Sequence, residues 1–275
     1  MKIVIKLLFS ISLLIFVLYK IDINKLFEIL QNINIVYLFI SFIFFNISKI
    51  ISAIRLNYYF KEINIHLDFK TNLILYYIGM FYNLFLPGGI GGDGYKAYLL
   101  KKHFNQKLSL ILQALLFDRI SGLLGLIFLG GILFLFSSYV FFPLNILDIF
   151  IISILYIAFY IFSKKYNKFP KYLTQTISLG LIVQMLQLIS ALFIIFSLPQ
   201  QTPILDFLVL FLISSVVSVL PISIGGIGVR ELTFLYGLNY IGYNADIGIA
   251  FSFLFFFITL VSSLIGFLFI HKKLF

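Results

Sequence analysis

Two short stretches combine proline, glycine and a basic residue inside an otherwise apolar chain. They are LPGGIGGDGYKA, Leu86–Ala97, and LPISIGGIGVRE, Leu220–Glu231. In both, Ile-Gly-Gly begins three residues after the proline, a further glycine follows two residues later, and a basic residue stands two beyond that. Agreement at this density indicates an internal repeat, with Lys96 at the position that corresponds to Arg230.

This combination of residues is typical of an anion site. The prolines Pro87 and Pro221 break one helical pattern, and a second begins just beyond the glycines. Glycine lets a ligand approach the backbone, and the first-turn N–H groups of a helix attract anions, phosphate above all. The predicted binding groups are Lys96, Arg230, Gly91, Gly92, Gly94, Gly225, Gly226 and Gly228. The alternative is that these glycines only allow close helix packing.

A buried charged pair accompanies these stretches. Asp118 and Arg119 lie in a long apolar segment, eleven residues past Lys107, which places them near the middle of a bilayer. Ionisable groups at that depth face a cavity or a partner. Arg119 is therefore a candidate ligand contact, or else the pair is a clamp. In a clamp, Asp118 pairs with Lys96 or Arg230 and Arg119 with Asp93 or Glu231.

The composition is that of a helical membrane protein. The 275 residues are 62% hydrophobic and 11% charged, with a mean hydropathy of +1.11, and several apolar runs approach the ~20 residues that span a bilayer. There is no cysteine, and the three histidines are far apart, so neither a metal nor a cofactor is expected. The runs are roughly Ile3–Tyr19, Ile35–Leu56, Leu73–Leu86, Leu108–Phe136, Ile146–Phe162, Thr176–Leu198, Leu205–Leu220 and Asp246–Ile270.

Loop charge predicts the topology. Lys and Arg concentrate on the cytoplasmic side of short loops, and the segments Ser137–Asn145, Pro199–Asp206 and Gly237–Ala245 contain none. The distribution favours six spanning helices and two re-entrant hairpins over eight spanning helices, with both termini cytoplasmic. Lys49 and Arg55 are expected to reach the headgroups from the inner end of the second helix.

The predicted topology divides one transmembrane domain, 1–275, into two halves near residue 141. Each half, about 1–140 and 141–275, has the order helix, helix, hairpin, helix, and the two are inverted. The re-entrant breaks lie near 86–97 and 220–231. Interrupted hydrophobic segments at corresponding positions of inverted halves indicate the central binding site of a transporter.

Three stretches, Asn83–Leu100, Phe117–Leu126 and Pro221–Glu231, resemble the lysylphosphatidylglycerol synthase transmembrane family, also called the flippase-like family. The resemblance covers nearly the whole chain, although Lys96 stands where Arg is more usual. One branch of that family moves aminoacylated phosphatidylglycerol between leaflets. We expect a stand-alone member without the soluble synthase domain, so the resemblance implies lipid translocation and not lysine transfer.

The expected function is therefore movement of an anionic phospholipid or a lipid-linked saccharide across the bacterial inner membrane. The expected partners are membrane lipids with a phosphate headgroup and no nucleic acid; a homo-oligomer or a partner lipid-modifying enzyme is left open. Two alternatives are an accessory subunit and an intramembrane enzyme, for which the outer segments offer only the scattered acids Asp148, Asp206 and Asp246. The phosphate would dock at Lys96, Arg119 and Arg230, while Asp93, Asp118 and Glu231 hold these groups or exchange protons.

Overall fold

The computed structural model describes residues 11–12, 14–85, 91–139, 157–161, 164–165, 171–199, 202–219, 226–272 and 274. Within these ranges every regular element is helical. The helices are α1 (Ile23–Gln31), α2 (Ile35–Glu62), α3 (Phe69–Phe85), α4 (Gly91–His103), α5 (Leu108–Phe134), α6 (Leu173–Ser197), α7 (Ile204–Val219), α8 (Val229–Tyr240) and α9 (Ala245–Phe267). Short helical runs also lie within 14–19 and 157–161.

Polar residues begin several of these helices. The Asn34 side chain accepts a hydrogen bond of 3.0 Å from the Val36 amide at the start of α2. Asn244 does the same at α9, over 2.9 Å from the Asp246 amide. These side chains satisfy amides that have no partner within the helix, so the apolar runs start at defined residues.

Four helices in the described ranges are long and apolar enough to cross a bilayer, namely α2, α5, α6 and α9. The shortest, α9, has 23 residues, which at about 1.5 Å per residue exceeds the ~30 Å hydrocarbon core. The prediction of an all-α polytopic membrane protein is confirmed. The two other predicted spans, Ile3–Tyr19 and Ile146–Phe162, lie largely outside the described residues.

The first repeated stretch joins two antiparallel helices, α3 and α4. Gly92 of α4 lies against Gly79 of α3. About one turn farther from the break in both helices, the Lys96 ammonium lies 4.8 Å from the centre of the Tyr76 ring. Residues later in α4 thus contact residues earlier in α3, so the two helices are antiparallel. The tip residues 86–90, including Pro87, are outside the described residues.

The second stretch joins α7 and α8 in the same way. The rings of Phe207 and Phe234 are 5.7 Å apart at one end, and Arg230 reaches Ser214 nearer the break. The tip residues 220–225, with Pro221 and Gly225, lie outside the described residues. Both breaks therefore connect antiparallel arms of 12 to 17 residues, while entry of these arms into the membrane stays a prediction.

Helix packing follows the same order in both parts of the chain. Helices α2 and α6 make the most extensive contact between helices of the described residues, and the hydroxyl oxygens of Ser41 and Ser190 lie 2.8 Å apart across it. Helices α2, α3, α4 and α5 correspond in order to α6, α7, α8 and α9. Replacing each helix by its counterpart gives the same set of contacting helix pairs within these eight helices. Thus α3 packs on α9 and α7 on α5, α4 packs on α5 and α8 on α9, and α2 packs on α3 and α6 on α7. A structural repeat produces this correspondence of contacts. The inverted orientation of the two sets in the membrane stays a prediction.

Candidate functional site

The structure pairs Asp118 of α5 with Arg55 of α2. The Arg55 Nε lies 2.7 Å from the Asp118 Oδ1, and both residues are buried. This partner was not among those predicted for Asp118. The expectation that Arg55 reaches the headgroups is wrong, because α2 continues to Glu62 and places Arg55 two turns inside the bundle. There a guanidinium needs a carboxylate.

Asp93 in the first turn of α4 binds two cations. Its Oδ2 accepts a hydrogen bond from the Arg119 Nε, and its Oδ1 lies 3.3 Å from the Lys96 ammonium. Lys96 is 4% exposed and passes over Gly79, where any side chain would collide with it. Lys96 and Arg119 therefore meet at one carboxylate, which is the clamp arrangement predicted for Arg119.

The glycines of the first hairpin serve different purposes. A Cβ on Gly92 would lie 1.9 Å from the Gly79 carbonyl oxygen, so Gly92 allows α3 and α4 to touch. Its amide donates a hydrogen bond of 2.9 Å to the Asn83 side chain. A Cβ on Gly94, by contrast, would meet nothing within 4 Å. Close helix packing therefore explains why residue 92 is glycine. Its amide is already hydrogen-bonded within the protein and does not serve as an anion-binding group.

In the second hairpin, a carboxylate of the protein itself, that of Glu231, binds the start of helix α8. Gly226 and Gly228 have φ values of +85° and +83°, a left-handed conformation that favours glycine. The Gly228 amide donates to Glu231 Oε2 over 2.7 Å, and the Ser252 hydroxyl of α9 donates to Oε1 over 2.8 Å. Glu231 thus caps α8 and attaches it to α9, so both of its oxygens are engaged.

Arg230 is half-buried, and its guanidinium is stabilised differently from those of Arg55 and Arg119. Its Nη1 donates to the hydroxyls of Ser214 and Ser215 over 3.2 and 3.3 Å. Its guanidinium carbon lies 4.6 Å from the centre of the Phe255 ring and 5.6 Å from that of Phe211. Within the described part of the chain, no carboxylate oxygen lies within 4 Å of it. Rings and hydroxyls stabilise this cation without neutralising it.

Arg230 lines a cavity of about 290 Å³ between helices α2, α5, α6, α7, α8 and α9. Lys49 of α2 is the second cation on its wall, with its ammonium 4.2 Å above the Phe45 ring. Lys49 also lies within electrostatic range of Arg55 and Arg230. Neither Lys96 nor Arg119 is part of the lining. The lining is Phe45, Lys49, Leu126, Gln184, Gln187, Ser215, Ser218, Gly226, Ile227, Arg230, Glu231, Phe255, Phe256 and Thr259.

This cavity is the strongest candidate site in the described residues. It combines two cations, hydroxyl and amide groups, and one glutamate whose oxygens are engaged elsewhere. Such a wall attracts an anion that brings its own hydrogen-bonding groups. Of the predicted binding residues, Arg230 and Gly226 line the cavity. Sequence reasoning missed Lys49; the uninterrupted helical pattern beyond Leu56 was the signal that it lies deep inside the bundle.

Comparison with known proteins adds the family. No curated protein and no solved structure shows a significant match to the chain. A family model does match: the model of the lysylphosphatidylglycerol synthase TM region aligns with residues 3–266, nearly the whole sequence. The protein therefore belongs to the family of the lysylphosphatidylglycerol synthase transmembrane region, and is a multi-pass membrane protein of that family.

Proposed function

We propose that this protein is a translocase that moves an anionic lipid, a phospholipid or a lipid-linked saccharide, between the leaflets of the bacterial inner membrane. Membership of a family named for a lipid-modifying protein associates the chain with membrane lipids. One observation carries the proposal, namely the cavity that presents Lys49 and Arg230 without a paired carboxylate among the described residues. Unpaired cations inside a membrane bundle mark a path for an anion.

The headgroup phosphate docks between these two cations. A guanidinium offers a planar set of donors that fits phosphate oxygens, and the ammonium of Lys49 adds a second charge from the opposite wall. Arg230 keeps donors free for a ligand, because only Nη1 is hydrogen-bonded to the serines. The phosphate thus replaces its hydration shell with fixed protein groups while it crosses.

The acyl chains need an apolar path beside the headgroup. A second cavity of about 290 Å³ lies between α5 and α7, and Leu126 lines both it and the cationic cavity. Its other lining residues are Ile127, Gly130, Gly131, Phe134, Val209, Leu212, Ile213 and Val216, all apolar. One lipid therefore places its phosphate at Arg230 and a chain along this groove, as an amphiphile requires.

The ion pairs between charged side chains of α2, α4 and α5 hold the bundle together during this movement. Asp93 binds Lys96 and Arg119, and Asp118 binds Arg55. We assign these acids a supporting role, with proton exchange as their second candidate role. The two halves rock against each other around the cavity, and both termini are cytoplasmic in this scheme.

Transport is preferred to catalysis because the acids considered for an enzyme have structural partners. Asp206 accepts hydrogen bonds of 2.8 and 2.9 Å from the amide and hydroxyl of Ser138. Asp246 accepts a 3.3 Å bond from the Asp22 amide. Asp148 lies outside the described residues. We therefore propose a non-enzymatic protein that acts on phosphate lipids, alone, as a homo-oligomer or beside a lipid-modifying enzyme.

Lipid movement in reconstituted vesicles tests the proposal. Purified protein is placed in vesicles with a trace of fluorescent phosphatidylglycerol, and the fraction that an impermeant quencher reaches is followed over time. We expect wild type to speed the exchange of leaflets and Arg230→Gln to slow it by about tenfold or more, since a charge-assisted contact with phosphate is lost. Arg230→Lys should recover only part of the rate.

Lys102→Gln is the matched control, because it removes one positive charge from an exposed position outside the cavity. It should leave the rate unchanged. Equal rates for wild type and Arg230→Gln would remove Arg230 from the path, and no rate above that of protein-free vesicles would end the translocase proposal for this lipid.

A further inference from the structure

The polar groups on the wall of the cationic cavity restrict which headgroups can bind, in addition to the restriction that the two cations impose. Three hydroxyls on the wall, Ser215, Ser218 and Thr259, already donate their protons to their own helices. Their acceptors are the carbonyl oxygens of Phe211, Ser214 and Phe255, at 2.8, 2.6 and 2.9 Å. A hydroxyl has one proton and two lone pairs, so these three groups can only accept from a ligand.

The amide side chains add donors as well as acceptors. Gln184 donates a bond of 3.1 Å to the Gly122 carbonyl, which leaves its oxygen and one N–H for a ligand. Gln187 also lines the cavity and has no hydrogen-bond partner among the described residues. The amide N–H groups can bind phosphate oxygens, whereas the three hydroxyls and the amide oxygens present acceptors beside the two cations. A bound ligand must bring protons of its own as well as a negative charge.

Ammonium ions and neutral groups such as hydroxyls supply such protons. An ammonium is disfavoured because the two cations, Lys49 and Arg230, outweigh Glu231, the single carboxylate of the described lining. Both oxygens of Glu231 also accept hydrogen bonds from within the protein, from Gly228 and Ser252. A neutral hydroxyl meets no such repulsion and donates readily to hydroxyl and amide oxygens.

The volume limits the size of the hydroxylated part. About 290 Å³ is at the small end of ligand cavities. The part of a headgroup that the cavity encloses is the size of a phosphate with one small polyol or a single sugar.

We infer that this protein selects an anionic lipid whose phosphate carries a small polyhydroxyl group, and that it rejects lipids with an amino or aminoacyl group on the head. The inference rests on the proposed role of the cavity as the headgroup site. Three lipids share this chemistry: phosphatidylglycerol, phosphatidylinositol and a polyprenyl-phosphate hexose. They differ only in the polyol and in the chains.

Lipid binding, measured without transport, tests the inference. Wild-type protein in nanodiscs is exchanged against each of these three lipids, and against phosphatidic acid, phosphatidylethanolamine and lysyl-phosphatidylglycerol, and bound lipid is counted by native mass spectrometry. We expect at least one polyol lipid to bind about tenfold more tightly than phosphatidic acid, as one or two neutral hydrogen bonds provide. Lysyl-phosphatidylglycerol should bind about tenfold more weakly than phosphatidylglycerol. The tightest of the three polyol lipids identifies the source of the headgroup.

A variant and its control separate the hydroxyl contacts from general packing. Thr259→Val keeps the shape of the side chain and removes an acceptor from the cavity wall. Thr233→Val is the match, since Thr233 makes the same hydrogen bond of 2.9 Å to its own helix and is not part of the lining. We expect Thr259→Val alone to lower the preference for the polyol lipid over phosphatidic acid, by about threefold.

Equal binding of phosphatidic acid and all three polyol lipids would overturn the inference, as would equal binding of phosphatidylglycerol and its lysyl derivative. Failure of the proposed function gives a different result: the order of binding holds, but vesicles that contain the protein move no labelled lipid. Rapid lipid movement without any headgroup preference would support the translocase proposal and contradict the inferred headgroup selectivity.

Discussion

At the scale of single residues, the buried and half-buried cations are stabilised in two different ways. Arg55, Lys96 and Arg119 each have a carboxylate within ion-pair distance. Lys49 and Arg230 instead face aromatic rings, at 4.2 and 4.6 Å, and Arg230 also meets hydroxyls. Rings and hydroxyls leave the charge in place, so the second group keeps a net attraction for anions while the first does not.

The Arg55–Asp118 pair provides a test of stability. Asp118→Asn leaves a buried guanidinium without a counter-ion, and Arg55 Nη1 already has no hydrogen-bond partner among the described residues. We expect a loss of about 3–5 kcal/mol in unfolding free energy, because one partner of a buried pair remains uncompensated. The measurement is unfolding of the purified protein in detergent, followed by circular dichroism.

Two variants control this experiment. Asp68→Asn also removes an acidic charge, but at an exposed position where the side chain can still accept from the Thr71 amide, so stability should change little. The double variant Arg55→Met with Asp118→Leu should be more stable than Asp118→Asn alone. Wild-type stability of Asp118→Asn would mean that water or lipid already neutralises Arg55.

Residue type and position predicted that Asp118 and Arg119 would each need a partner, and they predicted the contact of Arg119 with Asp93, one of two partners considered. The partner of Asp118 was not predictable, because it depends on the rotation and length of α2 relative to α5. The apolar run was expected to end at Leu56, whereas the helix ends at Glu62. Six more residues move Arg55 and Lys49 from the headgroup region into the bundle.

At the scale of helices, each hairpin is held by contacts between its arms. In the second, the Phe207 ring of α7 lies 5.7 Å from the Phe234 ring of α8, and both rings also contact Phe251 of α9. In the first, backbones touch at Gly79 and Gly92 and aromatic rings meet at Tyr82 and Tyr95, 4.5 Å apart. The duplicated motif predicted two breaks. Which of its glycines lies at a close helix contact depends on tertiary packing and was not predictable from the motif.

Alanine substitution separates the two uses of glycine in α4. Gly92→Ala would put a Cβ 1.9 Å from the Gly79 carbonyl oxygen, so the arms must separate. We expect a loss of about 3 kcal/mol in unfolding free energy. Gly94→Ala meets nothing within 4 Å in the same helix and should be neutral or stabilising by up to about 1 kcal/mol. Unfolding in detergent measures both; equal losses would show that α3 and α4 do not touch at Gly92.

At the scale of the whole molecule, the cationic cavity lies where the two sets of helices meet. Its wall includes α2 and α5 from the first set and α6, α7, α8 and α9 from the second. A site in this place can be exposed to one leaflet and then to the other if the sets rock, since both contribute to its wall.

Composition and the repeated motif were enough to predict the helical membrane fold, because apolar length and Pro-Gly breaks are local properties. The cavity was not predictable, since its lining comes from six helices that are far apart in sequence. Orientation rests on loop charge alone. It therefore needs a measurement that reports the membrane side of each loop directly.

The natural lack of cysteine makes that measurement direct. Single cysteines at Ser138, Lys102, Lys168 and Tyr243 are probed in intact cells with a membrane-impermeant thiol reagent, and again after the cells are opened. Ser138, Lys102 and Tyr243 are exposed, and Lys168 lies outside the described residues. We expect Ser138 and Tyr243 to react in intact cells, and Lys102 and Lys168 only in opened cells, because basic loops stay in the cytoplasm. Reaction of Lys102 from outside would make α3 and α4 part of a spanning arrangement. The inverted hairpins, and alternating access around the cavity, would then have to be abandoned.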